Sequence, residues 1–182
     1  MQMLPTLDPH ALVFLDESGA KTNMTRLRGR SPGGSRLYAH APHGHWCTTT
    51  LISSIRLNGE TAAMELPGAT DSLAFRTYVE VVLAPSLHDG DVVVMDNLGA
   101  HYDEAAIIMI ESRGARVLFL PPYSPDFNPI EKMWSKIKSL LRKLEARTRE
   151  ELSAAITNAF EAVTAKDAEG WFSSCYITAL QS

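Results

Sequence analysis

Three short apolar runs constrain what this chain of 182 residues can fold into. They lie at residues 11–15, 91–96 and 116–120, and each has the length and apolar content of a buried strand. Aspartates mark the ends of the first two runs: Asp16 follows the first, and Asp96 closes the second. Strands that come first and then alternate with helical segments predict an α/β fold, with helices packed on a mixed sheet.

Turn residues place the other elements of the first two thirds of the chain. Two strands are expected at residues 46–57 and 61–66, because Asn58 and Gly59 between them are a strong hairpin signal. Apolar periodicity predicts a helix at residues 71–83, with Leu73, Tyr78, Val81 and Val82 among its apolar positions. A further helix is expected at residues 103–113, closed by Gly114.

The last third of the chain begins with a proline-rich segment and continues as helices. Pro121, Pro122, Pro125 and Pro129 have fixed φ angles that hold this segment extended. Pro129 is expected to open a long helix capped by Asn128, whose apolar face consists of Ile130, Met133, Ile137, Leu141 and Leu144. A last helix should begin at the capping box of Thr148 and Glu151 and bury Leu152, Ile156, Phe160 and Val163.

The composition is that of one soluble globular domain. Hydrophobic residues make up 45% of the chain and charged residues 21%, and no apolar run is long enough to span a membrane. The N-terminus lacks the layout of a signal peptide. The two cysteines, Cys47 and Cys175, form neither a zinc-binding pattern nor a disulfide framework. These features predict a cytoplasmic protein.

The net charge of −4 conceals two basic segments. Residues 20–45 hold five basic side chains and no acidic one, and residues 132–149 hold seven basic side chains against Glu145. The remaining chain is therefore strongly acidic. Such a distribution allows a protein to bind a polyanion locally while it stays soluble, although each segment could equally be an ordinary solvated surface.

Three carboxylates are candidates for a metal site. If the strands that precede Asp16 and Asp96 are neighbours, these two side chains emerge side by side, and Glu131 enters from the first turn of the long helix. Carboxylates without Cys or His suit Mg²⁺ or Mn²⁺, and paired ions support phosphoryl transfer. Each acid also has an ordinary interpretation, because aspartates often occupy turns and Glu131 could complete a capping box with Asn128.

Three motifs resemble the catalytic domain of the mariner superfamily of DDE transposases, most closely its bacterial insertion-sequence branch. They are FLDES at residues 14–18, VMDNLGAH at residues 94–101 and LPPYSPDFNPIEKMW at residues 120–134. The resemblance covers residues 10 to 165, and the spacing of 34 residues between Asp96 and Glu131 is the one that this family uses. It implies a ribonuclease H-like fold in which Asp16, Asp96 and Glu131 bind two Mg²⁺ or Mn²⁺ ions.

The resemblance also implies a reaction and its partners. Water first cleaves a DNA strand at the end of a mobile element, and the freed 3′-hydroxyl then attacks target DNA. The expected partners are double-stranded transposon ends and target DNA, a second copy of the chain in a homodimer, and no membrane; the expected location is the bacterial nucleoid. Because Asp16 comes so early, we expect residues 1–182 to be a single catalytic domain without the helix-turn-helix region of the family, so that end recognition is supplied elsewhere.

Two alternatives remain open at the level of sequence. One is a nuclease of the same fold that hydrolyses DNA without strand transfer. The other is a non-catalytic transposase remnant that binds DNA or assists assembly. In either case an isolated chain could lack activity.

Further residues have possible roles beside the three acids. His101 occupies a position where the family pattern also has histidine, and it could contact the scissile phosphate or be a satisfied core residue. Asn97 could brace the edge of the site, and Trp134 is expected to pack in the core rather than stack on a base. Phosphate contacts are predicted for Arg26, Arg28, Arg30, Lys132, Lys136, Lys138 and Arg142.

Overall fold

A single five-stranded sheet forms the centre of the molecule in the computed structural model, which describes residues 7–36, 38, 42–121 and 128–181. The strands are β1 Leu12–Lys21, β2 Thr48–Arg56, β3 Thr61–Pro67, β4 Val92–Met95 and β5 Arg116–Phe119. Their order is β3-β2-β1-β4-β5. Antiparallel pairs join β1 to β2 and β2 to β3, whereas β1, β4 and β5 are parallel. The predicted mixed sheet is confirmed.

Helices cover both faces of this sheet. They are α1 Ser72–Tyr78, α2 Ala84–Ser86, α3 Glu104–Glu111, α4 Pro129–Leu144, α5 Arg149–Glu161 and α6 Ala165–Gln181. A π-helical stretch, Val79–Leu83, joins α1 to α2, and short 3₁₀ helices cover Pro9–Ala11 and Gly99–Tyr102. The predicted cap of α4 is present, since the Asn128 side chain accepts a hydrogen bond from the Ile130 amide, and so is the capping box of α5.

The alternation of side chains along β1 and β4 assigns each helix to one face. Phe14 and Val94 point into a cluster with residues of α4, α5 and α6. Leu15 and Met95, one position further along, point into the cluster with residues of α1 and α3. Residues 12–15 of β1 and all of β4 are buried on both faces, as expected for parallel strands covered by helices.

The β2–β3 hairpin turns as the sequence predicts. The Gly59 amide donates to the carbonyl of Arg56 at 3.0 Å, and Gly59 has a φ of +84°, which favours glycine. A Cβ atom at this position would also lie 2.8 Å from the backbone nitrogen of Ala165. The turn therefore requires glycine both for its backbone conformation and for its contact with the start of α6.

The first strand is longer than its apolar run predicts. Parallel pairing with β4 ends at Phe14, but antiparallel pairing with β2 continues from Val13 to Lys21. Hydrogen bonds to β2 hold the chain extended after the apolar run has ended. The expectation that Asp16 ends its strand is therefore wrong, and Asp16 lies within β1 opposite Ser53.

Several helix expectations also need correction. A further helix, α6, follows the one predicted to be last, and its weak helix formers and Gly170 conceal it in the sequence. Leu73, Val81 and Leu144 are exposed rather than buried, and Phe160 and Val163 are half-buried. Leu144 is exposed because α4 ends there, where Glu145 adopts the left-handed conformation. Pro122 and Pro125 of the predicted extended segment lie outside the described residues.

Candidate active site

The register of β1 and β4 places two of the three candidate acids side by side. Leu12 pairs with Val92, Val13 with Val93 and Phe14 with Val94. The same offset puts Asp16 level with Asp96, the residue that follows β4. Position 16 shares the alternation of position 14 and so belongs to the face of the sheet that α4 covers, and Asp96 follows directly after the end of β4.

Helix α4 supplies the third acid on that same face. Glu131 lies in its first turn, and the neighbouring Ile130 and Met133 are buried against the sheet, which fixes the start of the helix. The side chain of Glu131 is exposed, and its negative charge acts on Asp16. The structure therefore brings Asp16, Asp96 and Glu131 to one end of the central strands, although they come from three separate segments of the chain.

Asp16 is the most perturbed of the three acids. Burial is the main reason that its pKa rises to about 7. The negative charges of Glu131, Glu17 and Asp96 raise the pKa further, against a hydrogen bond from the Glu17 backbone that lowers it. The indole Nε1 of Trp134 donates to Asp16 Oδ2 at 3.1 Å, and Trp134 is only 2% exposed. Trp134 packs in the core as predicted, and it also orients Asp16.

Asp96 has the opposite electrostatic environment. His101 Nδ1 lies 2.9 Å from Asp96 Oδ1, and the Leu98 amide donates to the same oxygen at 2.9 Å. The hydrogen bond from His101 is the largest of the causes that lower the pKa of Asp96. The Asp96 side chain remains 53% exposed, so it is ionised and accessible to a ligand.

His101 is fully buried and both of its ring nitrogens have partners. Nδ1 faces Asp96, and Nε2 lies 3.0 Å from Glu17 Oε1. Burial opposes the charged ring, but the hydrogen bonds to Asp96 and Glu17 outweigh it and raise the pKa of His101 to about 10. Since no part of the side chain is exposed, this geometry favours a positioning role over the direct phosphate contact considered from the sequence.

Two residues that the sequence interpretation did not assign to the site therefore support it. Glu17 follows Asp16 in β1 and so points to the opposite face, where it meets His101. Trp134 comes one helical turn after Glu131 and reaches Asp16. The strand alternation and the helical spacing were readable in the sequence, but the pairing of β1 with β4 was needed to connect them.

Hydrogen bonds also brace the chain that follows Asp96. The Asn97 side chain donates to the Leu120 carbonyl at 2.5 Å, and the Tyr102 hydroxyl donates to Asn97 Oδ1 at 2.7 Å. The Tyr102 ring stacks on Phe119, with ring centroids 4.7 Å apart. The role predicted for Asn97 at this edge agrees with these contacts, which tie the loop to β5.

The donor set fits a hard divalent cation. All three acids offer carboxylate oxygens, and His101, the nearest nitrogen donor, is occupied on the other face of the sheet. Among the described residues no salt bridge includes Asp16, and the neighbouring carboxylates add to the rise of its pKa that burial mainly causes. Within the described residues, no group of three or more His, Cys, Asp and Glu side chains is already arranged to hold a metal ion.

The predicted phosphate-binding residues fall into two groups. Lys136 Nζ forms an ion pair with Asp167 at 2.5 Å and donates to the Ala162 carbonyl, and Lys132 bonds to Ser174. These two lysines thus attach α4 to the segment around α6. The others are exposed or half-buried: Arg26, Arg28, Arg30, Lys138 and Arg142.

A mixed sheet of this order, with carboxylates where the parallel pairing of its central strands ends, defines a ribonuclease H-like domain. Residues 11–153 match the family described as DDE superfamily endonuclease, and the chain belongs to that family. No sequence among curated proteins matches significantly.

Solved structures of similar fold include a pre-cleavage Mos1 transpososome, with a TM-score of 0.75 and 14% identity over 95% of this chain and 55% of that one. The Mos1 mariner paired-end complex with Mn has a TM-score of 0.74 and 17% identity over 94% and 54%. The catalytic domain of Mos1 mariner transposase has a TM-score of 0.65 and 16% identity over 93% and 78%. The chain thus spans about half of the full-length Mos1 chain. None of the described helices is long and apolar enough to cross a membrane.

Proposed function

We propose that this domain carries out metal-dependent cleavage of a DNA strand and transfer of its 3′-hydroxyl to target DNA, as in cut-and-paste transposition. The observation that supports the proposal is the register that sets Asp16 level with Asp96, together with the negative charge of Glu131 that acts on Asp16. Membership of the DDE superfamily endonuclease family supports the reaction class. The bacterial branch and the single-domain organisation over residues 1–182 remain predictions.

We propose Asp16, Asp96 and Glu131 as the ligands of two Mg²⁺ or Mn²⁺ ions. When bound, such ions would supply Lewis acidity for the attacking and the leaving oxygen of the reacting phosphate. Trp134 keeps Asp16 oriented, and His101 holds Asp96 ionised from the other face of the sheet. The exposed Glu131 is free to turn towards the other two acids. Mos1 complexes with Mn and with Mg are consistent with this choice of metals.

The proposed partners are double-stranded transposon ends, target DNA and a second copy of the chain. The similar structures include a Mos1 paired-end complex and a Mos1 strand transfer complex, in which that protein acts on DNA. Sequence-specific recognition of the ends is assigned to a region outside the described fold. The basic segments of this chain contribute phosphate contacts that position DNA without reading its sequence.

Thermal unfolding with and without excess Mn²⁺ tests the metal site. At about 100 times its dissociation constant, a ligand adds roughly 2.7 kcal/mol to the free energy of unfolding. We expect Mn²⁺ to stabilise the wild type. In Asp96→Asn, most of this stabilisation should be lost. Asp89→Asn is the matched control, because it removes one exposed carboxylate outside the site and should keep the full metal response.

A strand-transfer assay then separates the candidate activities. Duplex DNA with a pre-cleaved 3′-hydroxyl end should be joined to a second duplex in the presence of Mn²⁺, and Asp96→Asn should abolish the product. Cleavage without joining would favour the nuclease. A metal response equal in Asp96→Asn and wild type, with no cleavage, would favour the non-catalytic remnant.

A further inference from the structure

The two basic segments of the sequence meet in one cleft, although 86 residues separate them. The cleft has a volume of about 590 Å³. Arg26, Leu27 and Arg28 line it from the loop after β1. The last turns of α4 line the other side through Ser139, Arg142 and Lys143. Four cationic side chains therefore surround one cleft.

The loop is fixed at its base, next to the C-terminal end of α4. Arg147 Nη1 donates to the carbonyls of Thr22 at 3.2 Å and of Met24 at 2.9 Å. Met24 also packs against the hydrophobic cluster that contains the buried face of α4. Arg26 and Arg28 follow these anchored residues directly, so their position beside Arg142 is built into the fold.

The cations of this cleft are available to an external anion. Among the described residues, the salt bridges involve other basic side chains, and none includes Arg26, Arg28, Arg142 or Lys143. By contrast, Lys136 on the same helix is engaged by Asp167. The difference identifies which basic residues of α4 hold the fold together and which face solvent.

We propose that this cleft binds the phosphodiester backbone of duplex DNA at a distance from the reacting phosphate; this inference rests on the proposed function. Guanidinium groups bind phosphate oxygens through paired N–H donors. Arg142 comes eleven residues after Glu131 on one straight helix, which is about 16 Å at about 1.5 Å per residue. The cleft thus continues the surface of the candidate active site, and its positive charge stands out on a chain of net charge −4.

The salt dependence of DNA binding tests this proposal. The probe is a fluorescent 30-base-pair duplex of random sequence, titrated with wild type, with Arg26→Gln/Arg142→Gln and with the control Arg113→Gln/Lys166→Gln. The control pair removes the same charge from exposed sites outside the cleft. Each phosphate contact contributes about 0.9 to the slope of log K against log salt. We expect the cleft variant to lose about 1.8 from this slope and the control to retain the wild-type slope.

Equal slopes in the two double variants would overturn the proposal, because the effect would then follow net charge alone. Polyglutamate that binds wild type but not the cleft variant, with unchanged DNA binding, would also overturn it and indicate an acidic protein partner. Metal-dependent DNA cleavage is measured on the same samples. If the wild type cleaves DNA but the cleft variant keeps the wild-type salt slope, only the cleft proposal fails. If the cleft variant loses slope but the wild type does not cleave DNA, only the proposed reaction fails.

Discussion

The two ends of β4 place an aspartate in opposite surroundings. Asp91 precedes the strand and is neutralised by Arg56, whose guanidinium nitrogens lie 2.5 and 3.0 Å from its two carboxylate oxygens. Asp96 follows the strand and pairs with His101, beside Asp16, which is in no salt bridge among the described residues. The same four-residue strand thus separates a compensated carboxylate from a cluster with excess negative charge.

The two ends of the strand also shift the pKa of their carboxyl groups in opposite directions. Burial opposes the charge of Asp91, but the hydrogen bonds from Arg56 and from the His88 backbone lower its pKa below the usual value. At the other end, burial raises the pKa of Asp16, and neighbouring carboxylates raise it further. His101 offsets part of this charge through Asp96 and Glu17, but four carboxylates around one imidazolium leave an excess of negative charge that a bound cation would reduce.

Breaking the compensated pair should have the largest effect. Arg56→Met leaves the buried Asp91 with only its contacts to His88, and we expect a loss of about 3–5 kcal/mol in the free energy of unfolding. Urea denaturation at pH 7 measures it. Arg76→Met is the matched control, because the Arg76 side chain is 44% exposed in its pair with Asp103 and its loss should cost much less. Equal losses would contradict the distinction between the two pairs.

Removing a carboxylate at the other end of β4 should stabilise the protein rather than destabilise it. Asp16→Asn eliminates a carboxylate whose pKa is about 7, and we expect the free energy of unfolding to increase by roughly 2 kcal/mol at pH 7.5 without divalent cations. Asp91→Asn should lower it under the same conditions. Destabilisation by both substitutions would show that the negative charge near Asp16 is already compensated in the folded protein.

Loss of the hydrogen bond from Trp134 to Asp16 should change the free energy of unfolding by a smaller amount. Trp134→Phe keeps an aromatic ring in the core and removes the indole N–H, for an expected loss of about 1–2 kcal/mol. The stabilisation by Mn²⁺ should also weaken, because Asp16 loses its orienting partner. Trp171→Phe, at a half-buried position outside the site, should leave the Mn²⁺ response intact.

The smallest expected effect is the loss of stability at low pH that comes from Asp91. Because the folded-state pKa of Asp91 is lowered, its contribution is present above the ordinary pKa and is lost as the pH falls through the folded value. Stability should therefore fall more steeply between pH 5 and pH 2 in wild type than in Arg56→Met/Asp91→Leu, as followed by denaturation at each pH. Parallel curves would show that other acids dominate the acid loss.

The sequence was sufficient for the features that depend on local pattern. The apolar runs, the Asn58–Gly59 turn and the cap at Asn128 are each specified within a few residues, and they place the sheet and the start of α4. Once β1 and β4 are taken as neighbours, the proximity of Asp16 and Asp96 follows from their positions after matching apolar runs.

Features that depend on distant pairing could not be read in this way. The extension of β1 to Lys21 requires the hydrogen bonds of β2, and α6 is held by its packing on the fold rather than by helix propensity. The contact between Glu17 and His101 joins residues 84 positions apart. Neither residue indicates the other in the sequence, so this indirect contact with Asp96 is visible only in the structure.

Helix α4 also fixes the distance between the candidate active site and the basic cleft. It is continuous from Pro129 to Leu144, so the separation between Glu131 and Arg142 cannot change without breaking a buried helix. At about 3.4 Å per nucleotide along one strand, about 16 Å corresponds to roughly five base pairs. If the cleft holds DNA, a duplex that ends closer than this to the reacting phosphate cannot contact both places. The minimum length of a productive substrate would then be set by the number of residues in one helix.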